Sequence, residues 1–290
     1  MIQSLHNTSL THATYPTGDV TLHVVTAGKG EPVVLLHGWP QSWYAWHKII
    51  PALAGRFTVI APDLRGLGDS SRPAGGYDKA TIANDIHQLL HRHLGVDRYF
   101  LVGHDWGGPV AFCLAATWPG EVKKLAMLDT AVPGDGSGTF SQHGRRWHHA
   151  FHQTADLPEA LVAGREDIYL GWFYRNYGYR PDAIDPEAEA EYLRTYRQEG
   201  ALRAGFAYYR ALDQDVAHNQ SLLKRGKLTM PVLALGGGKA FGRGIETLQS
   251  LQRVALDVRG GIIEDCGHWI PEEKPSETAD ALLDFFDRRI

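Results

Sequence analysis

The sequence predicts an α/β fold: a mostly parallel sheet with helices on both faces and a helical cap inserted between two of its strands. Three observations carry that prediction. Short apolar runs alternate with longer segments of helical apolar spacing, the pattern of strands joined by crossover helices. One run, Tyr99-Phe-Leu-Val, leads through a glycine-flanked turn straight into a helical segment that stops at Pro119-Gly120. From 134 to 217 strand-like runs give way to helix formers and aromatics, after which the alternation resumes. Residues 1–133 and 218–290 are therefore read as the sheet-bearing core and 134–217 as the cap.

Residues 20–27 alternate in part and meet Gly28-Lys-Gly, a strand and its turn. The unbroken apolar run 32–36 suits a strand buried on both faces. Segment 41–53 sets Trp43, Trp46, Ile49, Ile50 and Leu53 on a helical stripe. A short strand at 57–61 precedes Pro62-Asp-Leu-Arg-Gly-Leu-Gly-Asp. Residues 77–94 put Ile82, Ile86, Leu89, Leu90 and Leu94 on one side of an amphipathic helix. Strand 99–102, helix 108–118 and strand 121–128 follow, the last ending at Asp129. Beyond the cap come strands at 231–235 and 258–263 and a closing helix over 275–288.

Composition narrows the function. A 290-residue chain that is 43% hydrophobic can fill a sizeable core, and one large domain with an insertion fits better than two independent domains. A net charge of −4 gives no basis for binding nucleic acid or an anionic membrane. Two cysteines are not a disulfide framework. No run approaches the ~20 apolar residues of a membrane span. The start, Met1-Ile-Gln-Ser-Leu, lacks the basic and apolar regions of a signal peptide, so a cytoplasmic protein is expected.

Strand, tight turn and helix at 99–118 form the layout of a nucleophile elbow, in which glycines relieve crowding and the central side chain is pushed into the open. The centre here is Asp105, where serine is usual. A carboxylate is a poor acyl nucleophile but can displace a leaving group from saturated carbon, giving an ester that water then cleaves. Epoxides and alkyl halides suit that chemistry. The plainer alternative is an aspartate capping the helix that follows.

Cleaving the ester calls for a base near neutral pH. Of fifteen histidines, His268 lies in the loop between the last strand and last helix, where chemistry collects at strand C-terminal ends. The order nucleophile, acid, histidine also fits. Its orienting carboxylate is assigned to Asp129, because the loop after 231–235, Gly236-Gly-Gly-Lys-Ala-Phe-Gly-Arg-Gly, holds no acid. Backbone N–H groups of Trp39 and Trp106 can form an oxyanion hole. His37 and His104 read as structural hydrogen-bonding residues.

His37-Gly-Trp-Pro-Gln-Ser-Trp-Tyr-Ala-Trp, Pro62-Asp-Leu-Arg-Gly-Leu-Gly-Asp-Ser, Gly103-His-Asp-Trp-Gly-Gly and Gly267-His-Trp resemble the α/β-hydrolase-fold epoxide hydrolases over nearly the whole chain. Trp147-His, Leu161-Val-Ala-Gly-Arg-Glu, Phe206-Ala-Tyr-Tyr-Arg-Ala-Leu and Gly267-His-Trp-Ile-Pro-Glu-Glu resemble the Cif-like bacterial epoxide hydrolases in particular. The resemblance implies an α/β-hydrolase fold and a small-molecule epoxide opened to a vicinal diol. It implies His148 and Tyr209 as the ring-opening donors, no cofactor, and compatibility with a homodimer. It agrees with Asp129, although Cif carries glutamate there. Lys274 stands where Cif has a cysteine, so Cys266 lacks the matching disulfide partner, and the secretion signal is missing.

From the residues alone, the alkoxide formed on ring opening needs neutral donors, which imidazole and phenol supply. Tyr208 remains open beside Tyr209 at this stage. His148 and His152 share a helical face, but no acidic ligand is near, so no metal is expected. Trp39, Trp106, Phe151, Trp172 and Phe173 are expected to wall a pocket for a small to medium apolar substrate.

Two alternatives stand. A haloalkane or haloacetate dehalogenase would use the same Asp-His-Asp set, with Trp106 suited to the departing halide. Fluoroacetate-type dehalogenases resemble this chain at Asp129, Trp147-His148 and Tyr209. They carry arginines just after the nucleophile, where this chain has Trp106 and Pro109. Haloalkane dehalogenases usually present Asn after the early His-Gly; here it is Trp39. The other alternative is a non-catalytic binder of small ligands, against which nucleophile, base, acid and oxyanion loop are all present in order.

Overall fold

The computed structural model describes residues 2–137 and 140–287. A small hairpin, β1 (Ser4–Leu5) and β2 (Thr8–Ser9), precedes the main sheet. The sheet's strands are β3 (Thr11–Thr17), β4 (Val20–Ala27), β5 (Glu31–Leu36), β6 (Phe57–Pro62), β7 (Tyr99–His104), β8 (Val122–Leu128), β9 (Val232–Gly237) and β10 (Val258–Ile263). They lie in the order β10-β9-β8-β7-β5-β6-β4-β3. Pairing is parallel from β10 across to β6, and antiparallel at β6–β4 and β4–β3. The central strand β7 is buried along its whole length, as its apolar run requires. Strand β3 escapes sequence reading because Thr-His-Ala-Thr-Tyr-Pro-Thr is an edge with almost no buried residue.

The core helices are α1 (Ile50–Ala54), α2 (Lys79–Gln88), α3 (Gly107–Thr117), α10 (Ile245–Val254), α11 (Ile270–Glu273) and α12 (Pro275–Asp287). Helices α1, α3 and α10 pack on β6, β7 and β9, and α2 packs on α3. The expected helix over 41–53 is two pieces, a 3₁₀ turn at Trp43–Trp46 and then α1. Pro51 is the cause: it is tolerated only in a helix's first turn, so α1 starts at Ile50 with the proline second and does not continue the 3₁₀ turn. The helix over 77–94 is capped by Asp78, which accepts from the Thr81 N–H, and passes into a π turn at Leu89–His93. The last helix reaches Asp287; Arg288 lies outside the described residues.

Between β8 and β9 the described residues hold helices and no strand: α4 (His148–Gln153), α5 (Leu157–Val162), α6 (Glu166–Asn176), α7 (Pro186–Tyr196), α8 (Ala201–Arg210) and α9 (Leu212–Leu223). A cap ending at 217 would cut α9, which runs on because Asn219 and Leu222 are buried on the same helix. Among the described residues no helix is long and apolar enough to cross a membrane. Cys113 and Cys266 are both free and buried. Because β5, β7, β8 and β9 run parallel, the loops that follow them gather at one edge of the sheet, under the helical segment.

Candidate active site

Strand β7 delivers Asp105 through a bend that only small neighbours allow. Asp105 itself has φ of +49°, a strained backbone for a residue with a side chain. A Cβ on Gly103 would lie 2.4 Å from the Gly107 carbonyl oxygen, and one on Gly107 would lie 2.2 Å from that of Leu36. These glycines bring α3 against the strand and leave the carboxylate standing at its tip. The Thr130 hydroxyl donates to the Asp105 carbonyl at 2.9 Å and braces the bend.

The two carboxylate oxygens have different surroundings. Oδ1 accepts the Trp39 N–H at 2.9 Å, and the Trp106 N–H also acts on the group. Oδ2 lies 3.3 Å from His268 Nε2. One oxygen thus takes the Trp39 N–H while the other meets the imidazole.

His268 Nδ1 sits 2.6 Å from Asp129 Oδ2. Asp129 leaves β8 at φ +43°, and its Oδ1 accepts the Gly237 and Arg243 N–H groups at 2.8 and 2.7 Å. The His268 N–H donates to the Tyr177 carbonyl at 3.0 Å, and the His268 carbonyl meets His104 Nε2 at 2.8 Å. Buried Glu273 accepts the N–H groups of Gly267 and Trp269, each at 3.0 Å, and the Tyr179 N–H at 2.8 Å. That one carboxylate ties the histidine loop to the cap.

Electrostatics follow the geometry. Burial pushes the Asp105 carboxyl up, but His268 and the Trp106 N–H outweigh it and hold the group well below the usual carboxylate range. Burial likewise pulls His268 down, and hydrogen bonds to Asp105 and Asp129 reverse it, so its pKa is raised above 6.5. Burial opposes Asp129 too, yet His268 and Arg146 hold it low. The two carboxylates are thus favoured in their ionised form, and each biases the imidazole between them toward holding its proton.

The cap closes over this edge. A cavity of about 10 Å³, room for a single water, is lined by Asp105, His268, Trp39, His148, Tyr209 and Phe173. Arg146, Tyr177 and Trp269 complete its wall. A larger cleft, about 770 Å³, lies elsewhere and shares none of these residues. His148 is buried, and Tyr177 Oη lies 2.8 Å from its Nδ1. Burial and the neighbouring His149 and His152 push His148 far down, so it is neutral. Burial raises the Tyr177 phenol, so it keeps its proton, and Nδ1 is its only hydrogen-bond partner among the described residues. The phenol therefore donates to Nδ1, which leaves Nε2–H as the histidine's donor.

Tyr209 stands edge-on to Trp106 and Trp39, while Tyr208 turns away and donates to the Arg65 carbonyl at 2.8 Å. Of these two neighbours it is Tyr209 that lines the cavity. His37 and His104 do hold backbone groups, His37 Nε2 accepting from the Leu64 N–H at 3.1 Å. The nitrogens of His148 and His152 go to different tyrosines, Tyr177 and Tyr169.

The expected pocket wall needs correcting. Phe173 and Trp39 line the cavity, but Phe151 and Trp172 do not. Phe151 packs on Trp147 and Tyr169, and Trp172 is 37% exposed. Trp172 packs on Phe173 and Tyr177, one layer behind the wall they form, a depth that helical spacing alone could not show. Trp106 touches the site through its N–H and Tyr209 rather than as a lining residue. Sequence reading missed Tyr177, Arg146 and Glu273. Only Glu273 left a signal, as the last residue of Gly267-His-Trp-Ile-Pro-Glu-Glu.

Residues 31–275 match the family model described as the α/β hydrolase fold. The chain is 42% identical to a soluble epoxide hydrolase of Corynebacterium sp. (strain C12), covering 97% of this chain and 98% of that protein. It is 32% identical to a fluoroacetate dehalogenase of Burkholderia sp., covering 92% and 91%. The solved structure of the epoxide hydrolase CorEH without ligand superposes with a TM-score of 0.88 at 41% identity, covering 96% of this chain and 99% of that one.

Proposed function

The chain belongs to the α/β-hydrolase fold family, and from that premise we propose that it is an epoxide hydrolase working through an ester of Asp105. The observation that carries the reading is the split between the carboxylate oxygens of a residue that lines the cavity: Oδ1 accepts the Trp39 N–H and Oδ2 lies beside His268.

In the first half-reaction Oδ2 attacks a ring carbon. The carbon–oxygen bond breaks and its electron pair passes to the ring oxygen, which receives His148 Nε2–H and Tyr209 O–H. Alkylation removes the Asp105 charge, one of the two that hold the His268 proton. The alkoxide takes one proton from the His148–Tyr209 donor pair, and the proton that His268 gives up restores the donor, so the hydroxyl forms with no net change of charge. In the second half, neutral His268 takes a proton from water while the water oxygen attacks Cγ. Negative charge gathers on Oδ1, opposite the Trp39 and Trp106 N–H groups. Collapse expels Oδ2 with the product, which takes the second water proton and leaves as a vicinal diol. Asp129 keeps the imidazole in the right tautomer throughout. A cavity of about 10 Å³ is too small for any epoxide, so cap side chains must give way as substrate enters.

A second reading has one observation behind it. Arg146 is buried on the cavity wall, a guanidinium able to hold a carboxylate. The arginine absent after the nucleophile is thus offered from the cap, which suits a haloacetate. Styrene oxide and bromoacetate separate the two readings. Diol from the first without bromide from the second supports the epoxide hydrolase, and bromide without diol reverses the ranking. The same reading proposes a cytoplasmic homodimer, whose mass light scattering would report.

A further inference from the structure

On the other end of α2, outside everything described so far, three ligand-type groups converge. His87 is on α2, His91 in the π turn that follows it, and Glu121 just before β8. Glu121 Oε2 lies 3.2 Å from His87 Nδ1 and 3.0 Å from His91 Nε2, and the three atoms are within 4.8 Å of one another. A tetrahedral ion with bonds of about 2.0–2.1 Å sets neighbouring ligand atoms about 3.3 Å apart. The two measured edges are within a few tenths of an ångström of that value.

The surroundings hold these groups in place. His91 Nδ1 lies 3.3 Å from the Asp97 carboxylate, so the ring is turned with Nε2 toward Glu121. A carboxylate behind a ligating imidazole fixes its tautomer and strengthens it as a donor to metal. The His87 ring stacks on Trp118, with centroids 3.9 Å apart and planes 5° from parallel. His91 Nε2 is shielded from solvent yet unaligned with Glu121, and it has no hydrogen-bond partner among the described residues. A close but misaligned pair leaves that nitrogen unused by the protein alone. The π turn that carries His91 is itself a rare element, frequent at functional sites. Side-chain exposure of 19–25% at the three residues leaves a path for an ion and a water as fourth ligand.

We propose that His87, His91 and Glu121 bind a divalent transition-metal ion of the zinc type, clamping the end of α2 to the start of β8. The set is two neutral imidazoles and one carboxylate, which suits zinc or cobalt and disfavours calcium or magnesium. Affinity falls with acid, since the histidines must be unprotonated to ligate. None of the three is among the groups assigned to the reaction.

The purified full chain, stripped with chelator, is titrated with Zn²⁺ by calorimetry and with Co²⁺ by visible absorption, and its thermal unfolding is followed with and without 100 µM Zn²⁺. The proposal expects one ion per chain, a tetrahedral Co²⁺ band and a higher unfolding temperature. His91→Gln and Glu121→Gln each weaken binding at least tenfold and abolish the zinc-dependent shift, with epoxide turnover unchanged. Asp97→Asn weakens it less. Zinc that binds equally well to both variants overturns the proposal, as does no stabilisation of the wild type. Zinc that inhibits turnover and still binds His91→Gln would be sitting on the cap histidines instead, and also overturns it.

Discussion

The two walls of the cavity are built by different means. On the core side each group is held by backbone. Asp105 rests on a bend braced by Thr130 and accepts the Trp39 N–H, Asp129 accepts two N–H groups, and the His268 loop is pinned at both faces. On the cap side His148 depends on one side-chain hydrogen bond, and Tyr209 on the Trp106 side chain and on ring packing against Trp39, Trp106 and His152. Backbone-held groups keep their geometry whatever the substrate, which suits the core wall to the ester chemistry proposed for it. Side-chain-held groups shift when neighbours change size, which suits the cap wall to the choice of leaving group proposed for it. The chain's relatives include one protein named an epoxide hydrolase and one named a dehalogenase, at 42% and 32% identity over nearly the whole chain.

Removing the base should divide the reaction most sharply. In His268→Gln the Oδ2 attack remains possible but the ester has no base, so steady turnover should fall by about 10³-fold or more. An adduct should accumulate on the Asp105 peptide, seen as added substrate mass. Wild-type enzyme run for one turnover in ¹⁸O water should place the label in Asp105 and none in the diol, because Oδ2 leaves with the product. Label in the diol at first turnover would mean direct attack of water on the epoxide, and the core wall would have a different task.

A smaller effect tests the charge coupling within the core wall. Asp105→Asn imitates the neutral ester, so the His268 pKa, raised by two carboxylates in the wild type, should drop when read by NMR. Stability should follow with the signs worked out separately. His268 is raised, so its contribution is complete below 6.5 and is lost as pH rises through its folded value. Asp105 is lowered, so its contribution is complete above 3.8 and is lost as pH falls through its folded value. The pair therefore favours the fold most between those limits, and the variant should lose that pH-dependent increment. An unmoved His268 pKa would show that Asp129 alone holds the proton.

The same contrast explains what the sequence could reveal. Asp105 and His268 sit in short contiguous motifs whose strand and turn signals are local, so position along the chain implied position in space. Asp129 followed from strand order and from the lack of an acid in the loop after β9. Cap residues offered no such handle. Tyr177 lies at the end of α6, and nothing nearby in sequence marks it as the partner of His148, which is 29 residues away. Phe151 and Trp172 looked like pocket wall because aromatic content was visible and depth was not. Strand β3, without an apolar run, was invisible for the same reason: local pattern reports burial, and an edge has little.

The weakest link of the cap wall gives the mildest expected change, and the most specific one. Tyr209→Phe removes a direct donor to the ring oxygen and should slow ring opening by roughly 10–10²-fold. Tyr177→Phe touches no reacting atom. It frees His148 Nδ1, so the imidazole can adopt the other tautomer and present Nε2 without a hydrogen. Ring opening should slow by less, about 3–10-fold for a tautomer mixture, with KM nearly unchanged and release of the ester unaffected. Adding Tyr209→Phe to Tyr177→Phe should cost less than the product of the two if both act on one oxygen. A Tyr177→Phe enzyme that loses KM and ester hydrolysis instead would place the tyrosine's weight on the His268 loop, whose N–H its carbonyl accepts at 3.0 Å. The line between the two walls would then run through Tyr177 itself, because its backbone serves one side and its hydroxyl the other.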